Sequence, residues 1–351
     1  MDDTAPLLSA LRRLRDPAGK EDIVAAGRID GLTLDQGLAT LSLTTDRNER
    51  AAMEKLAEQA RLVLEALPNV KRASVVLTSQ RAAGPANPQN PRPKLLSHIG
   101  AVIAVASGKG GVGKSTTAVN LAVALAGMGI KTGLLDADIF GPSLPRMLGV
   151  NIKPEIRGDR IQPIIAWGLP TMSIGYMVNP DDAMIWRGPM VMGALEQMMG
   201  QVDWPALEVL IVDMPPGTGD TQLTMAQRVD LAGAVIVSTP QDIALIDARR
   251  GVRMFEKTGV PVLGVIENMS LFCCPNCGHV TELFGHGGAK REAEALGVPF
   301  LGEIPLLPAI RSMADAGTPV AANRALPEAK FYLDIAQNLA VAIGAPRKPN
   351  Q

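Results

Sequence analysis

Aromatic residues are scarce. Three Trp, two Tyr and six Phe make up 3% of 351 residues. So few rings argue against a surface that stacks on nucleic-acid bases. Charge of one sign is missing too: the formal net charge is −1. A chain this near neutrality presents no bulk field to a polyanion, so no nucleic-acid partner is expected. Apolar runs are no longer than a strand, short of a membrane span, and no membrane partner is expected. The start, Met1-Asp2-Asp3, lacks the basic flank and apolar stretch of a secretory signal, so a cytoplasmic protein is expected. Cysteine is nearly absent. Three residues cannot build a disulfide framework, and two of them are spaced C-x-x-C. In a reduced compartment that spacing reads as metal ligands or redox groups. What is abundant is core material: 47% of residues are hydrophobic and the mean hydropathy is +0.15. The length suits about two domains.

Residues 1–80 read as a small α+β domain. Leu7–Leu14 has helical periodicity. Ile23–Ile29 and Leu32–Leu43 contain strand-like stretches around Gly27 and Gly31. Asn48–Leu67 predicts a helix with Ala52, Leu56, Ala60, Val63, Leu64 and Leu67 on one face. Val70–Thr78 predicts another strand. Residues 81–98 are rich in proline and polar residues and read as a semi-extended linker. From 99 to 351, apolar strands alternate with helices. The expected strands are Ile99–Ala106, Lys131–Asp136, Leu207–Asp213, Gly233–Ser238, Val262–Glu267 and Phe300–Ile304, with helices filling the intervals. The fold class is therefore α/β, a mostly parallel sheet flanked by helices, preceded by the small α+β domain.

The strongest motif is Gly108-Lys109-Gly110-Gly111-Val112-Gly113-Lys114-Ser115-Thr116. It follows a predicted buried strand and opens a predicted helix, the setting a phosphate-binding loop requires. Its glycines let backbone N–H groups turn toward phosphate oxygens at a helix start. Lys114 is placed to reach the β- and γ-phosphates and Ser115 to ligate Mg²⁺, so ATP and Mg²⁺ are expected cofactors. A purely structural glycine turn leaves Lys114 and Ser115 without a reason. Lys109 is a second lysine where the motif needs one; beside a triphosphate, a further cation can neutralise transition-state charge.

Two acidic strand ends can complete this site. Asp213 closes the strand Leu207–Val212 and precedes Pro215-Pro216-Gly217-Thr218-Gly219, a position suited to Mg²⁺ through water. The Gly217 N–H is a candidate γ-phosphate contact. Asp136-Ala137-Asp138 closes another strand. Asp138 is the candidate to orient the attacking water, with Asp136 toward Mg²⁺; the reverse division, or a turn cap, also fits the spacing. Asn268 follows a predicted strand, where an asparagine forms a turn or offers its amide to a base.

Phe272-Cys273-Cys274-Pro275-Asn276-Cys277-Gly278-His279 puts two thiols on one tight turn, where they converge on a soft metal. Cys274 and Cys277 are the candidate ligands. Cys273 immediately precedes the pair and is poorly placed to share its turn. A tetrahedral site needs four ligands, and two chains would supply them. An iron–sulfur cluster, a zinc ion and a redox dithiol all remain compatible with this spacing.

The loop K-G-G-V-G-K-S-T resembles the deviant-Walker ATPases. With D-A-D-I-F-G-P-S (Asp136–Ser143), W-R-G-P-M (Trp186–Met190), D-M-P-P-G-T-G-D (Asp213–Asp220) and C-P-N-C (Cys274–Cys277), the set looks like the Mrp/ApbC branch, the ATP-binding iron–sulfur cluster carriers. Residues 1–80 resemble the MIP18-type domain fused to bacterial members. The resemblance implies a homodimer in which Lys109 reaches the partner's nucleotide. It also implies an adenine contact at Asn268, and a 4Fe–4S cluster bridging the dimer and delivered to apo iron–sulfur clients from an assembly scaffold. The rival readings are a partition or positioning ATPase, which has no use for C-x-x-C, and a zinc-stabilised nucleotide-dependent scaffold.

Overall fold

A computed structural model describes residues 5–17, 19, 21–35, 37–45, 49–78, 95–178 and 188–345. The chain divides into two compact units, Met1–Arg92 and Pro93–Gln351. Most of the expected linker lies outside the described residues, as does Trp186.

The first unit contains α1 (Ala5–Leu11), β1 (Ile29–Asp35), β2 (Leu38–Thr44), α2 (Arg50–Glu65) and β3 (Arg72–Thr78). Its sheet has the order β1-β2-β3, with β1 antiparallel and β3 parallel to β2. The core joins Leu7 and Leu11, Leu41 and Leu43, and the α2 stripe Met53, Leu56, Ala60 and Leu64. Each fully buried leucine in such a cluster contributes about 1.5–3 kcal/mol. The buried stripe is thus turned slightly from the predicted one: Ala52 is exposed and Met53 is inside. The stretch from Ile23 is a turn rather than a strand. The Asp22 carboxylate accepts the N–H groups of Val24 and Ala25, both at 2.9 Å, and this local bonding wins over apolar content.

The second unit runs β4 (Ala101–Ala106), α3 (Lys114–Gly127), β5 (Thr132–Asp136), α4 (Leu144–Leu148), β6 (Ile156–Arg157), β7 (Arg160–Ile161), β8 (Ile164–Ala166) and β9 (Leu169–Ser173). There follow α5 (Gly188–Gly200), β10 (Val209–Asp213), α6 (Asp220–Arg228), β11 (Leu231–Ser238), α7 (Asp242–Lys257) and β12 (Val262–Cys273). The unit closes with β13 (Val280–Thr281), α8 (Gly288–Leu296), β14 (Phe300–Leu306), α9 (Pro308–Asp315) and α10 (Pro327–Ala342). The sheet order is β13-β12-β11-β4-β10-β5-β9-β8, with β14 also pairing β12. The pairings of β12 with β14 and β11, of β4 with β11 and β10, and of β5 with β10 and β9 are all parallel. Strands buried on both faces read as unbroken apolar runs, and V-L-I-V-D of β10 is buried throughout.

Two expectations change here. The interval from 137 to 208 is not simply helical: it also holds two hairpins, and β9 adds to the sheet beside β5. The β8–β9 hairpin turns on Trp167 and Gly168, both with positive φ (52° and 78°), the two-residue turn whose twist matches its strands. Strand β12 does not stop at Glu267. It continues six residues to Cys273 because Phe272 and Cys273 pair with Thr281 and Val280 of β13.

Candidate nucleotide and metal sites

All of the nucleotide candidates gather at the carboxyl ends of the parallel strands, where open α/β sheets bind ligands. Strand β4 ends at Ala106 and leads through residues 107–113 into α3. Gly113 caps α3 with a left-handed backbone and no side-chain cap, so the first N–H groups of the helix face the loop. Two glycines are forced by close approach. A Cβ on Gly108 would collide with the Asp247 backbone of α7, and one on Gly113 would strike the Asn268 amide. Gly110 and Gly111 are exposed, Val112 is buried, and Ser115 and Thr116 sit half-buried in the first turn of α3.

Lys114 is buried, and its Nζ donates to Asp213 Oδ1 at 2.5 Å and to Ser115 Oγ at 3.2 Å. Asp213 and Asp136 are register partners on β10 and β5. Burial pushes the Asp213 carboxyl up, and the Lys114 ammonium works against that rise. Asp136 is pushed up to about 7, first by burial and then by the charge of Asp213. Its Oδ1 accepts the Asp138 N–H at 3.0 Å, and its Oδ2 accepts the Ser173 hydroxyl at 2.9 Å. Asp136 therefore fixes the turn that carries Asp138. Asp138 is half-buried, with Oδ1 accepting the Gly141 N–H at 3.3 Å.

Three candidates make contacts within the chain that the sequence did not announce. The Gly217 N–H is spent on the Ser107 carbonyl at 2.9 Å, because the left-handed Gly217 folds its loop back onto the end of β4. Asn268 lies within β12, not after it, and its Nδ2 donates to the Val112 carbonyl at 2.8 Å. That amide edge grips the phosphate loop itself. Lys109 is half-buried and bonded within its own chain, its Nζ 3.3 Å from Gln241 Oε1.

Sequence reasoning missed Ser173 and Gln241. Ser173 ends β9, a strand the sequence did not announce. Gln241 lies just beyond the end of β11, where a polar residue at a strand terminus was the available signal.

The thiol pair sits on the hairpin between β12 and β13. The Cys274 N–H donates to the His279 carbonyl and the Gly278 N–H to the Cys274 carbonyl, both at 2.9 Å, closing the turn. The backbone N–H groups of Cys277 and Asn276, with the Cys277 thiol, hold the Cys274 thiol below its ordinary value, which favours the ligating thiolate. Cys277 is exposed and Cys274 partly so. Cys273 turns to the Gly278 carbonyl, with Sγ at 3.7 Å. Among the described residues, no third His, Cys, Asp or Glu ligand atom gathers with this pair.

A parallel sheet with this loop, lysine and acidic strand ends defines a P-loop NTPase. Residues 98–340 match the model of the NUBPL iron-transfer P-loop NTPases, and residues 5–75 match that of an iron–sulfur cluster assembly protein. The chain belongs to the NUBPL-type iron-transfer P-loop NTPase family. It is 54% identical over 247 residues to an iron–sulfur cluster carrier protein of Escherichia coli, covering 69% of this chain and 66% of that one. The match thus spans just under two thirds of that relative's length. A carrier of the same name from Synechocystis sp. is 41% identical over 346 residues, covering 96% of this chain and 97% of the relative. Among solved structures, a nucleotide-binding protein from Archaeoglobus fulgidus in complex with ADP has a TM-score of 0.59 and 38% identity, covering 68% of this chain and 93% of that one. Among the described residues, no helix is long and apolar enough to cross a membrane.

Proposed function

We propose that this chain is a cytoplasmic, homodimeric ATPase that accepts a 4Fe–4S cluster from an assembly scaffold and delivers it to apo-proteins. The observation that carries the proposal is the continuity of β12. One strand holds Asn268 against the phosphate loop and ends in the hairpin that presents Cys274 and Cys277. The carrier names of the relatives support the cargo.

The oxygen donors around the loop, Ser115, Asp213 and Asp136, suit a hard cation such as Mg²⁺. Held there, Mg²⁺ would offset the negative charge of the phosphates. Lys114 exchanges Asp213 for the β- and γ-phosphates as nucleotide docks. Asp138, held by Asp136, orients the attacking water. Lys109 leaves Gln241 for the partner's nucleotide, and Gly217 releases Ser107 to meet the γ-phosphate. Asn268 holds the loop through Nδ2 while its remaining amide edge serves the base. Cys274 and Cys277 of each copy supply two thiolates, so two copies complete a four-thiolate cluster.

Anaerobic reconstitution with iron and sulfide, followed by metal analysis, tests this reading. About four irons and four sulfides per dimer are expected for one cubane cluster. Stoichiometric zinc with no cluster would overturn the carrier in favour of a scaffold.

A further inference from the structure

Three ligand atoms outside the sites above converge on one spot. A carboxylate oxygen of Glu267, one of Glu303 and a ring nitrogen of His286 all lie within 4.8 Å of one another. Topology brings them together. Glu267 and Glu303 are register partners on the adjacent parallel strands β12 and β14, so their side chains leave the same face of the sheet. His286 arrives from the segment between β13 and α8, and its Nε2 lies 2.9 Å from Glu303 Oε2. Arg291 Nη1 donates to the His286 carbonyl at 3.2 Å and fixes the segment that carries the ring.

Carboxylates side by side repel one another unless a cation lies between them. Elsewhere in the chain, Asp16, Glu196, Asp213 and Glu292 each have an arginine or lysine partner. Among the described residues, neither Glu267 nor Glu303 has one; the ion pair of this cluster is His286 with Glu303. Glu267 is fully buried. Its two oxygens accept the N–H groups of Gly287 and Ala289 at 2.8 and 2.7 Å. Those bonds lock the carboxylate in place and use only one lone pair on each oxygen. The result is one fixed acceptor, Glu267, faced by two half-exposed and adjustable ones.

We propose that Glu267, His286 and Glu303 bind one divalent transition-metal ion at a site separate from Cys274 and Cys277. One imidazole with two carboxylates is a nitrogen–oxygen donor set, which suits zinc, cobalt, manganese or ferrous ions better than it suits a cluster. Ligand atoms around a tetrahedral ion of this class lie roughly 3.4 Å apart, so the cluster closes on the ion by modest rotation of Glu303 and His286. His286 binds through Nε2, and the ring proton is carried on Nδ1. The half-exposed sides of His286 and Glu303 leave a path for the ion and room for a water ligand. The bound ion ties β12, β14 and the start of α8 together at the root of the hairpin that carries the thiols. The inference does not depend on what those thiols hold.

Cobalt is the probe, because thiolate-bound Co²⁺ shows intense sulfur-to-metal charge transfer in the near ultraviolet and a nitrogen–oxygen site does not. The full chain, stripped with chelator, is titrated with Co²⁺ in excess Mg²⁺ that occupies the phosphate-loop donors. In the Cys274→Ser/Cys277→Ser variant the charge-transfer band is expected to vanish while one visible-absorbing cobalt per chain remains. Adding His286→Gln or Glu303→Gln to that variant is expected to weaken the remaining cobalt by more than the roughly 10–100-fold that loss of an outer-shell partner costs. Circular dichroism of the metal-free variants verifies that they fold, and a cobalt-induced rise in Tm, lost in His286→Gln, gives a second readout. No stoichiometric cobalt in the cysteine variant, or undiminished binding in both folded His286 and Glu303 variants, would overturn the site.

Discussion

Lys114 and Asp213, ninety-nine positions apart in sequence, form a buried ion pair with Nζ 2.5 Å from Oδ1. The pair holds Lys114 at the end of β10. In the proposed function nucleotide displaces it by exchanging the carboxylate for phosphate.

Lys114→Ala is expected to abolish ATP turnover and to leave Asp213 buried without its cation. Breaking such a pair costs about 3–5 kcal/mol. The double variant Lys114→Ala/Asp213→Ala should recover most of that loss while remaining inactive. Urea melts beside phosphate-release assays make the comparison. Unchanged hydrolysis in Lys114→Ala would remove the lysine from the mechanism.

Asp136 makes stability depend on pH. Its carboxyl is raised from an ordinary 3.8 to about 7 by burial and by the charge of Asp213. Between those values the folded chain holds a proton that the unfolded chain has released. The stability contributed by this group is therefore complete below the ordinary value and is lost as pH rises toward about 7. In metal- and nucleotide-free protein, Asp136→Asn should flatten the fall and be the more stable form above neutrality. Denaturation midpoints measured across that window decide it; parallel curves for the two proteins would contradict the shift.

Lys109→Ala should impair hydrolysis more than ATP binding, because the proposed contact is made in the partner's site. Mixing it with Asp138→Ala should restore part of the activity, since one site in a mixed dimer keeps both groups. Equal loss of binding and turnover, with no recovery on mixing, would leave Lys109 acting only beside its own Gln241.

The three cysteines should separate cleanly. Cys274→Ala and Cys277→Ala are each expected to lose the reconstituted cluster and the dimer it bridges. Cys273→Ala should keep both, because its Sγ turns to the Gly278 carbonyl. Visible absorption and sedimentation report the outcome. A cluster that survives in Cys277→Ala but not in Cys273→Ala would reverse the ligand assignment, and a monomer with a full cluster would end the bridging model.

The loop Gly108–Thr116 and the strands around it were legible because their pattern is local: an unbroken apolar run, a glycine turn, a helix. The hairpins between β5 and β10 were not. Their short strands carry no period, and β9 joins the sheet by pairing with β5. Asp213 and Asp136 could be read as strand ends. That they face each other, and that Ser173 holds one of them, depends on the order of strands in the sheet. Asn268 could be named but not understood. Its grip on Val112 spans 156 positions and follows from β12 lying beside the phosphate loop. Glu267, His286 and Glu303 left no mark as a motif, because register, not spacing, unites them.

The placement of the thiols also governs how the molecule ages. Asp136 and Asp213 are buried at the ends of β5 and β10, with Lys114 buried beside Asp213, and share the lifetime of the core. Cys274, poised toward thiolate, and the exposed Cys277 stand on the turn between β12 and β13. Thiolate character and exposure are what oxidants select. Air should therefore silence the hairpin long before the sheet loosens, leaving a chain that still melts cooperatively and still binds nucleotide but no longer takes up metal at its tip.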